Sequence, residues 1–415
     1  MEITLPLLPH LAFYEALAVL DESNSAWNET VAGLLTLRLF DTWGEMARRG
    51  ERVQAWEVTG VAEAVDELPA THRARAPLRA VVDAVRAPNV APADLLPQLS
   101  AYARVLRFDA QWLLAADVFA TMLSNAYGAP EDVVIGAAYH RGYCLRMAGQ
   151  LEAAAASYDE GRALAASCGN EAGLLEADVS HAALAIHRGN LPAAEALLDD
   201  VIDRACPSTC GHVLARALHE RATVAARRGH HQDALVFGYR ALPLFEAAVD
   251  RDRVLGDIAA ALGASGYHEA AWDAQQLLSA TAQEQQTRWV AAVNLIELAA
   301  WRDDERLFLR FRDDLASVAL PPWLACYYHL HVGEGYWRFG HEAQSVRALH
   351  EAVAAASAAG VSEVRLRAED LADDIGRRAP PRVIAGATAP PLSLAVSAVI
   401  ACVRAMRETA GVVAE

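Results

Sequence analysis

The sequence predicts an all-α fold, a solenoid of about seven stacked antiparallel helix hairpins, and three observations lead there. The first is composition: 54% of the 415 residues are hydrophobic but only 7% are aromatic. Much of the apolar fraction is alanine, the strongest helix former and a side chain small enough for close helix packing. The second is a recurring phrase in which an apolar helix reaches a glycine, turns, and opens an Ala-rich helix. It reads Met147-Ala-Gly149-Gln-Leu-Glu-Ala-Ala, His187-Arg-Gly189-Asn-Leu-Pro-Ala-Ala, Arg227-Arg-Gly229-His-His-Gln-Asp-Ala and Ala264-Ser-Gly266-Tyr-His-Glu-Ala-Ala. After a degenerate copy at Trp301-Arg-Asp-Asp-Glu it returns as Arg338-Phe-Gly340-His-Glu-Ala-Gln-Ser. The third is the period, 36 to 40 residues, which is the spacing of helical repeats.

In chain order, residues 1–95 form divergent N-terminal helical hairpins. One runs from Val31 to Arg49, turns at Gly50, and returns from Val53 to Leu68, with Ala55 as its close-packing residue. Pro77, Pro88, Pro92 and Pro97 punctuate the next stretch, where Val90-Ala-Pro-Ala-Asp opens a helix. The regular array occupies 96–377, beginning with a pair at Tyr102 to Leu106 and Trp112 to Leu123 around Phe108-Asp-Ala. Within it, each glycine leaves the first helix through a left-handed conformation without a Cβ penalty. A small residue five positions later (Ala154, Ala194, Ala234, Ala271, Ser345) lets the second helix cross the first closely. Such hairpins are apolar on both sides, so neighbours must stack to form a core.

Residues 378–391 carry two Pro-Pro pairs and read as an extended Pro/Ala-rich linker. The remainder, 392–415, contains one more helix from Leu392 to Thr409, apolar first and basic later through Arg404 and Arg407. It reads as a cap over the last repeat or another groove, with a self-dimerising helix, an internal ligand mimic lying in the protein's own groove and a membrane-surface helix as alternatives. Its apolar stretch, Leu392 to Val403, falls short of the roughly 20 residues that span a bilayer.

The copy Gly333-Glu-Gly-Tyr336-Trp-Arg-Phe-Gly340-His-Glu-Ala-Gln-Ser-Val-Arg-Ala-Leu349-His-Glu-Ala352 resembles the tetratricopeptide (TPR) repeat, and Gly142, Leu145, Gly149, Leu151, Ala154 and Tyr158 match the same pattern in an earlier copy. The resemblance covers about residues 96 to 376. It departs from the family in lacking the late helix-capping proline and in its longer period. It implies a right-handed superhelix whose first helices line a concave face.

The formal charge is −17, from 53 Asp and Glu against 36 Lys and Arg, which opposes binding to a phosphate backbone. The basic run Arg73, Arg75, Arg79 and Arg86 is broken by Pro77 and reads as a solvated face, so no nucleic-acid partner is expected. The N-terminus has neither a basic segment nor a small-residue cleavage site, which points to the cytoplasm. Six scattered cysteines indicate no disulfide framework, while Cys206-Pro-Ser-Thr-Cys210-Gly-His212 leaves open a metal or redox site in a loop.

Nothing in the chain matches a phosphate loop, a nucleophile elbow or a zinc-protease helix, so no catalytic residue, cofactor or metal is expected and the chain reads as a non-enzyme. His329 and His331, two apart on a helix, face different sides and cannot share a metal. The resemblance instead assigns a partner surface. Carried onto this register, the family's concave positions are Tyr139, Tyr143, Arg146, Glu176, His187, Arg216, His219, Arg227, Tyr327, Glu334, Trp337 and Arg338. An aromatic, locally basic wall suits a protein or peptide segment bearing acidic groups or a free carboxylate. The expected function is therefore a scaffold or adaptor of bacterial, regulatory character. The alternative is a sensor in which a small molecule or short peptide in the groove changes superhelix curvature, and an enzyme or pore-forming accessory with no known motif is a third reading.

Overall fold

The computed structural model describes residues 9–21, 25–87, 90–377 and 392–412, and among these the regular structure is helical throughout. The linker read over 378–391 lies outside the described residues. The chain divides into two compact units, 1–201 and 202–415.

The first unit contains α1 (Leu11–Val19), α2 (Ser25–Arg49), α3 (Ala55–Asp66), α4 (Arg75–Arg86), α5 (Leu96–Phe108), α6 (Trp112–Ser124), α7 (Glu131–Met147), α8 (Leu151–Cys168), α9 (Glu171–His187) and most of α10 (Leu191–Arg204). Each helix from α2 to α8 packs on its successor in sequence, and α7 also touches α9, so first helices of neighbouring hairpins lie side by side. The core runs through Phe13, Leu37, Phe40, Tyr102 and Phe119, all essentially inaccessible to solvent. Ala55, expected as a close-packing residue, is exposed at the first turn of α3. Val58 and Val61 carry that contact, because the helix starts two residues later than the apolar run suggests. The basic run on α4 is neutralised locally: Arg75 and Arg79 both reach Asp66, and Arg79 also reaches Asp83.

The second unit contains α11 (Pro207–Arg227), α12 (His231–Ala241), α13 (Ala248–Ala264), α14 (His268–Thr281), α15 (Gln285–Trp301), α16 (Glu305–Ala316), α17 (Pro322–Arg338), α18 (Glu342–Ala359), α19 (Ser362–Gly376) and α20 (Leu394–Thr409). The first helices α11, α13, α15 and α17 touch in succession, and α19 continues the row. The C-terminal helix α20 packs on α12 and α14, the second helices of their hairpins. It thus neither caps the last hairpin nor lies on the first-helix row. Val396, Val399 and Val403, spaced for one face, are buried there.

One turn recurs through both units. Its left-handed residue is Ala110, Gly149, Gly189, Gly229, Gly266, Asp303 or Gly340. In every case the next N–H donates to the carbonyl five residues before it, as from Gln150 to Leu145 at 2.9 Å and from Asp304 to Ala299 at 3.1 Å. This closure satisfies carbonyls left open at the helix end. The copy at Trp301 is therefore degenerate in sequence only, since Asp303 takes the glycine's place at φ 61°.

The close-packing residues follow the same register: Ala154, Ala194, Ala271 and Ser345 are buried, and the Ser345 hydroxyl donates to Gly333 O at 2.7 Å. In the Asp303 copy the position holds Phe308, and the facing helix answers with Gly335, where a Cβ would stand 2.1 Å from the ring. Gly142 makes room for Tyr158 in the same way.

Candidate functional site

The predicted wall separates into core residues, residues paired with a carboxylate, others at helix ends or half-buried, and one small group whose guanidinium lacks a carboxylate among the described residues. Tyr139 and Trp337 belong to the core: Tyr139 is 5% exposed and donates from its hydroxyl to Gly173 O at 2.7 Å, and Trp337 is 6% exposed among Leu330, Leu349 and Ile375. Buried in this way, neither is available to a partner. His219 pairs with Asp257 at 2.6 Å, and Arg338 pairs with Asp303 at 3.0 Å. His187 and Arg227 are exposed at the ends of their helices, while Arg216 and Glu176 are half-buried. Tyr327 lies against His331, ring centroids 6.4 Å apart.

Tyr143 and Arg146 remain, and the fold brings Arg107 and Trp112 to them. Tyr143 and Arg146 are three apart on α7 and so share a face. The Arg146 guanidinium carbon sits 5.2 Å from the Tyr143 ring centroid, and that of Arg107, on α5, sits 4.6 Å from the same centroid. Trp112, at the first turn of α6, meets the ring edge-on at 6.0 Å. Two guanidinium groups thus lie within about 10 Å of each other around one tyrosine. Neither has a carboxylate partner among the described residues, and Arg146, 8% exposed, keeps an Nε–H with no acceptor. Elsewhere the arginines of this acidic chain are commonly paired, as Arg162 is with Asp178 and Arg188 with Glu152. A buried charge without a counterion is unfavourable unless an anion supplies it.

On the same helix, burial pushes the Cys144 thiol up to about 12, with the charge of Arg107 pulling the other way. That thiol is inert, so the arrangement can hold an anion but contains no nucleophile. Sequence reasoning missed Arg107 because Ala110, not glycine, marks its turn. Arg107 and Arg146 each stand three residues before the left-handed residue, in neighbouring hairpins.

A second group forms in the other unit. Glu297 on α15 and His331 and Glu334 on α17 place one ligand-capable atom each within 4.8 Å of one another. His331 Nδ1 lies 3.2 Å from Glu334 Oε2, and Arg367 on α19 reaches Glu334 at 2.5 Å and Glu297 at 3.9 Å. Burial opposes charge on His331, but Glu297 and Glu334 outweigh it and raise its pKa; Glu334 is buried too, yet His331 and Arg367 hold its carboxyl below the usual range. His329 points elsewhere, to Glu351 at 3.0 Å.

Cys206, Cys210 and His212 do not form a ligand cluster among the described residues. Cys206 is exposed at the N-cap of α11, its thiol lowered by a hydrogen bond from Ser208, Cys210 is buried, and His212 packs edge-on against Phe245. No described helix is long and apolar enough to cross a membrane.

No family model matches the chain, and no curated protein matches it significantly. Among solved structures it is similar to BtubC (BKLC) from P. vanneervenii, at 16% identity over 52% of this chain and 85% of that one, with a TM-score of 0.34. It is also similar to the apo form of the quorum sensor NprR from B. thuringiensis, at 14% identity over 82% of this chain and 92% of that one, with a TM-score of 0.47. At these values the architecture rests on the helices and turns described above.

Proposed function

We propose that the chain is a non-catalytic module of tetratricopeptide type that holds a carboxylate-bearing protein or peptide segment at Arg107, Tyr143 and Arg146. The observation that carries this reading is the unpaired guanidinium pair, one member buried, in a molecule of net charge −17. A carboxylate accepting from both groups would satisfy the orphaned Arg146 donor, and the Tyr143 and Trp112 rings would flank the apolar carbons beside it. Phosphate-bearing polymers suit the site less well, because the surrounding acidic surface repels an extended polyanion while tolerating a single carboxylate.

The test is an array of acidic peptides, each with a free or amidated C-terminus, probed with the full chain and with the Arg107→Gln/Arg146→Gln double variant. The wild-type chain should retain a carboxylate-rich subset, and the double variant should lose it by about tenfold or more. Retention with no preference for carboxylates, or retention that survives both substitutions, would overturn the assignment. Competition by a small dicarboxylic acid at the same residues would instead favour the sensor reading, in which the ligand is a small molecule.

A further inference from the structure

We propose that Glu297, His331 and Glu334 form a binding site for a first-row divalent metal ion, with Arg367 as the resident cation that the metal displaces. The site belongs to the second unit and does not depend on the carboxylate-binding reading.

Three features point to it. His331 and Glu334 are three apart on α17, which puts an imidazole nitrogen and a carboxylate on one face of one turn. Glu297 and Glu334 each stand six residues before the left-handed residue of their turns, Asp303 and Gly340, so consecutive hairpins stack one glutamate on the next. Like charges at such positions repel unless a cation lies between them. The imidazole, 5% exposed, and the Glu334 side chain, 14% exposed, lie inside the helix row, whereas the Glu297 side chain, at 38%, is open to solvent.

Arg367 now supplies the cation, but loosely for one partner. Its side chain is 47% exposed and its contact with Glu297 is 3.9 Å, against 2.5 Å with Glu334. A divalent ion bound by one nitrogen and two carboxylate oxygens would bridge α15 and α17 directly, while Arg367 swings into water. In that exchange the two positive charges of the metal would face the two glutamates in place of the guanidinium. One imidazole with two carboxylates is a ligand set suited to zinc and its first-row neighbours rather than to calcium or magnesium.

The experiment titrates zinc chloride into the metal-stripped full chain, reading stoichiometry by calorimetry and geometry from the visible spectrum of the cobalt(II) form. One ion per chain is expected, with affinity reduced at least tenfold in Glu297→Gln and in His331→Gln. Arg367→Ala should tighten binding several-fold, because the competitor is gone; a purely structural ion-pair network would gain nothing from that change. Arg367 is half-exposed, so this variant keeps the test decisive even if His331→Gln folds poorly. Absence of a stoichiometric site, zinc binding unaltered by Glu297→Gln, or weaker binding in Arg367→Ala would each overturn the proposal.

Discussion

Arg407 donates to the carboxylate of Asp273 across 134 residues of sequence, anchoring α20 to α14. Asp273 is 8% exposed, and Arg404, one turn before Arg407, approaches it at 3.4 Å. Together with Val396, Val399 and Val403, this ion pair makes α14 buried on nearly all sides. Removing one partner leaves a buried charge, so Arg407→Ala should lower unfolding free energy by about 2–4 kcal/mol, measured by urea denaturation. Arg404→Ala, at a more exposed side chain, should cost less than about 1 kcal/mol. Equal effects would mean that the two arginines share the carboxylate evenly.

His10 ties α1 to the rest of its unit. The ring is 5% exposed and lies 3.0 Å from Asp41 and 3.6 Å from Asp117. Burial disfavours its charge, but hydrogen bonds and charge from Asp117 and Asp41 prevail and raise its pKa from 6.5 to about 9. Because the folded value lies above the unfolded one, the charged ring stabilises fully below pH 6.5, and this contribution is lost as pH rises through about 9. The loss is on the order of 3 kcal/mol. Urea midpoints of the wild-type chain minus those of His10→Asn should fall across that window, and a flat difference would contradict the assignment.

Ala110 sits at φ 57° in a turn whose other copies mostly use glycine. A left-handed alanine costs roughly 1–2 kcal/mol, and glycine gives back about half through its larger entropy loss. Ala110→Gly should therefore stabilise by about 0.5–1 kcal/mol and raise the melting temperature by a few degrees. Asp303→Gly should gain less, since it also deletes the partner of Arg338.

Gly142 faces Tyr158 with no room for a methyl group, a Cβ there standing 2.3 Å from the ring. Gly142→Ala should destabilise by about 1–3 kcal/mol through overpacking. Gly136, on the same helix with open space around it, is the control: Gly136→Ala should be neutral or slightly stabilising, as helix propensity dictates. Thermal unfolding of the two variants side by side checks both.

The proposed binding group was only half legible before folding. Tyr143 and Arg146 follow from the register of a recognisable glycine, but Arg107 belongs to a hairpin whose turn is written with alanine. Tyr139 and Trp337 went astray for a different reason. Gly161 leaves room for the Tyr139 ring to sink between helices, and Trp337 is drawn into the core with Leu330, Leu349 and Ile375. The Glu297, His331 and Glu334 group stayed hidden because its members come from two hairpins, and the two histidines nearest in sequence face apart.

The sequence by itself determined the helical class, the hairpin period, the glycine turns and, within the regular array, close-packing residues such as Ala154 and Ser345, because these depend on contacts within a few residues of each other. Only tertiary structure decided which guanidinium groups keep a counterion and where the C-terminal helix lies. Asp273 is claimed by Arg407 from 134 residues away, and Arg107 meets Tyr143 only after hairpins stack. Such pairings depend on how close two charges come and how much water remains between them, and neither is written in the spacing along the chain.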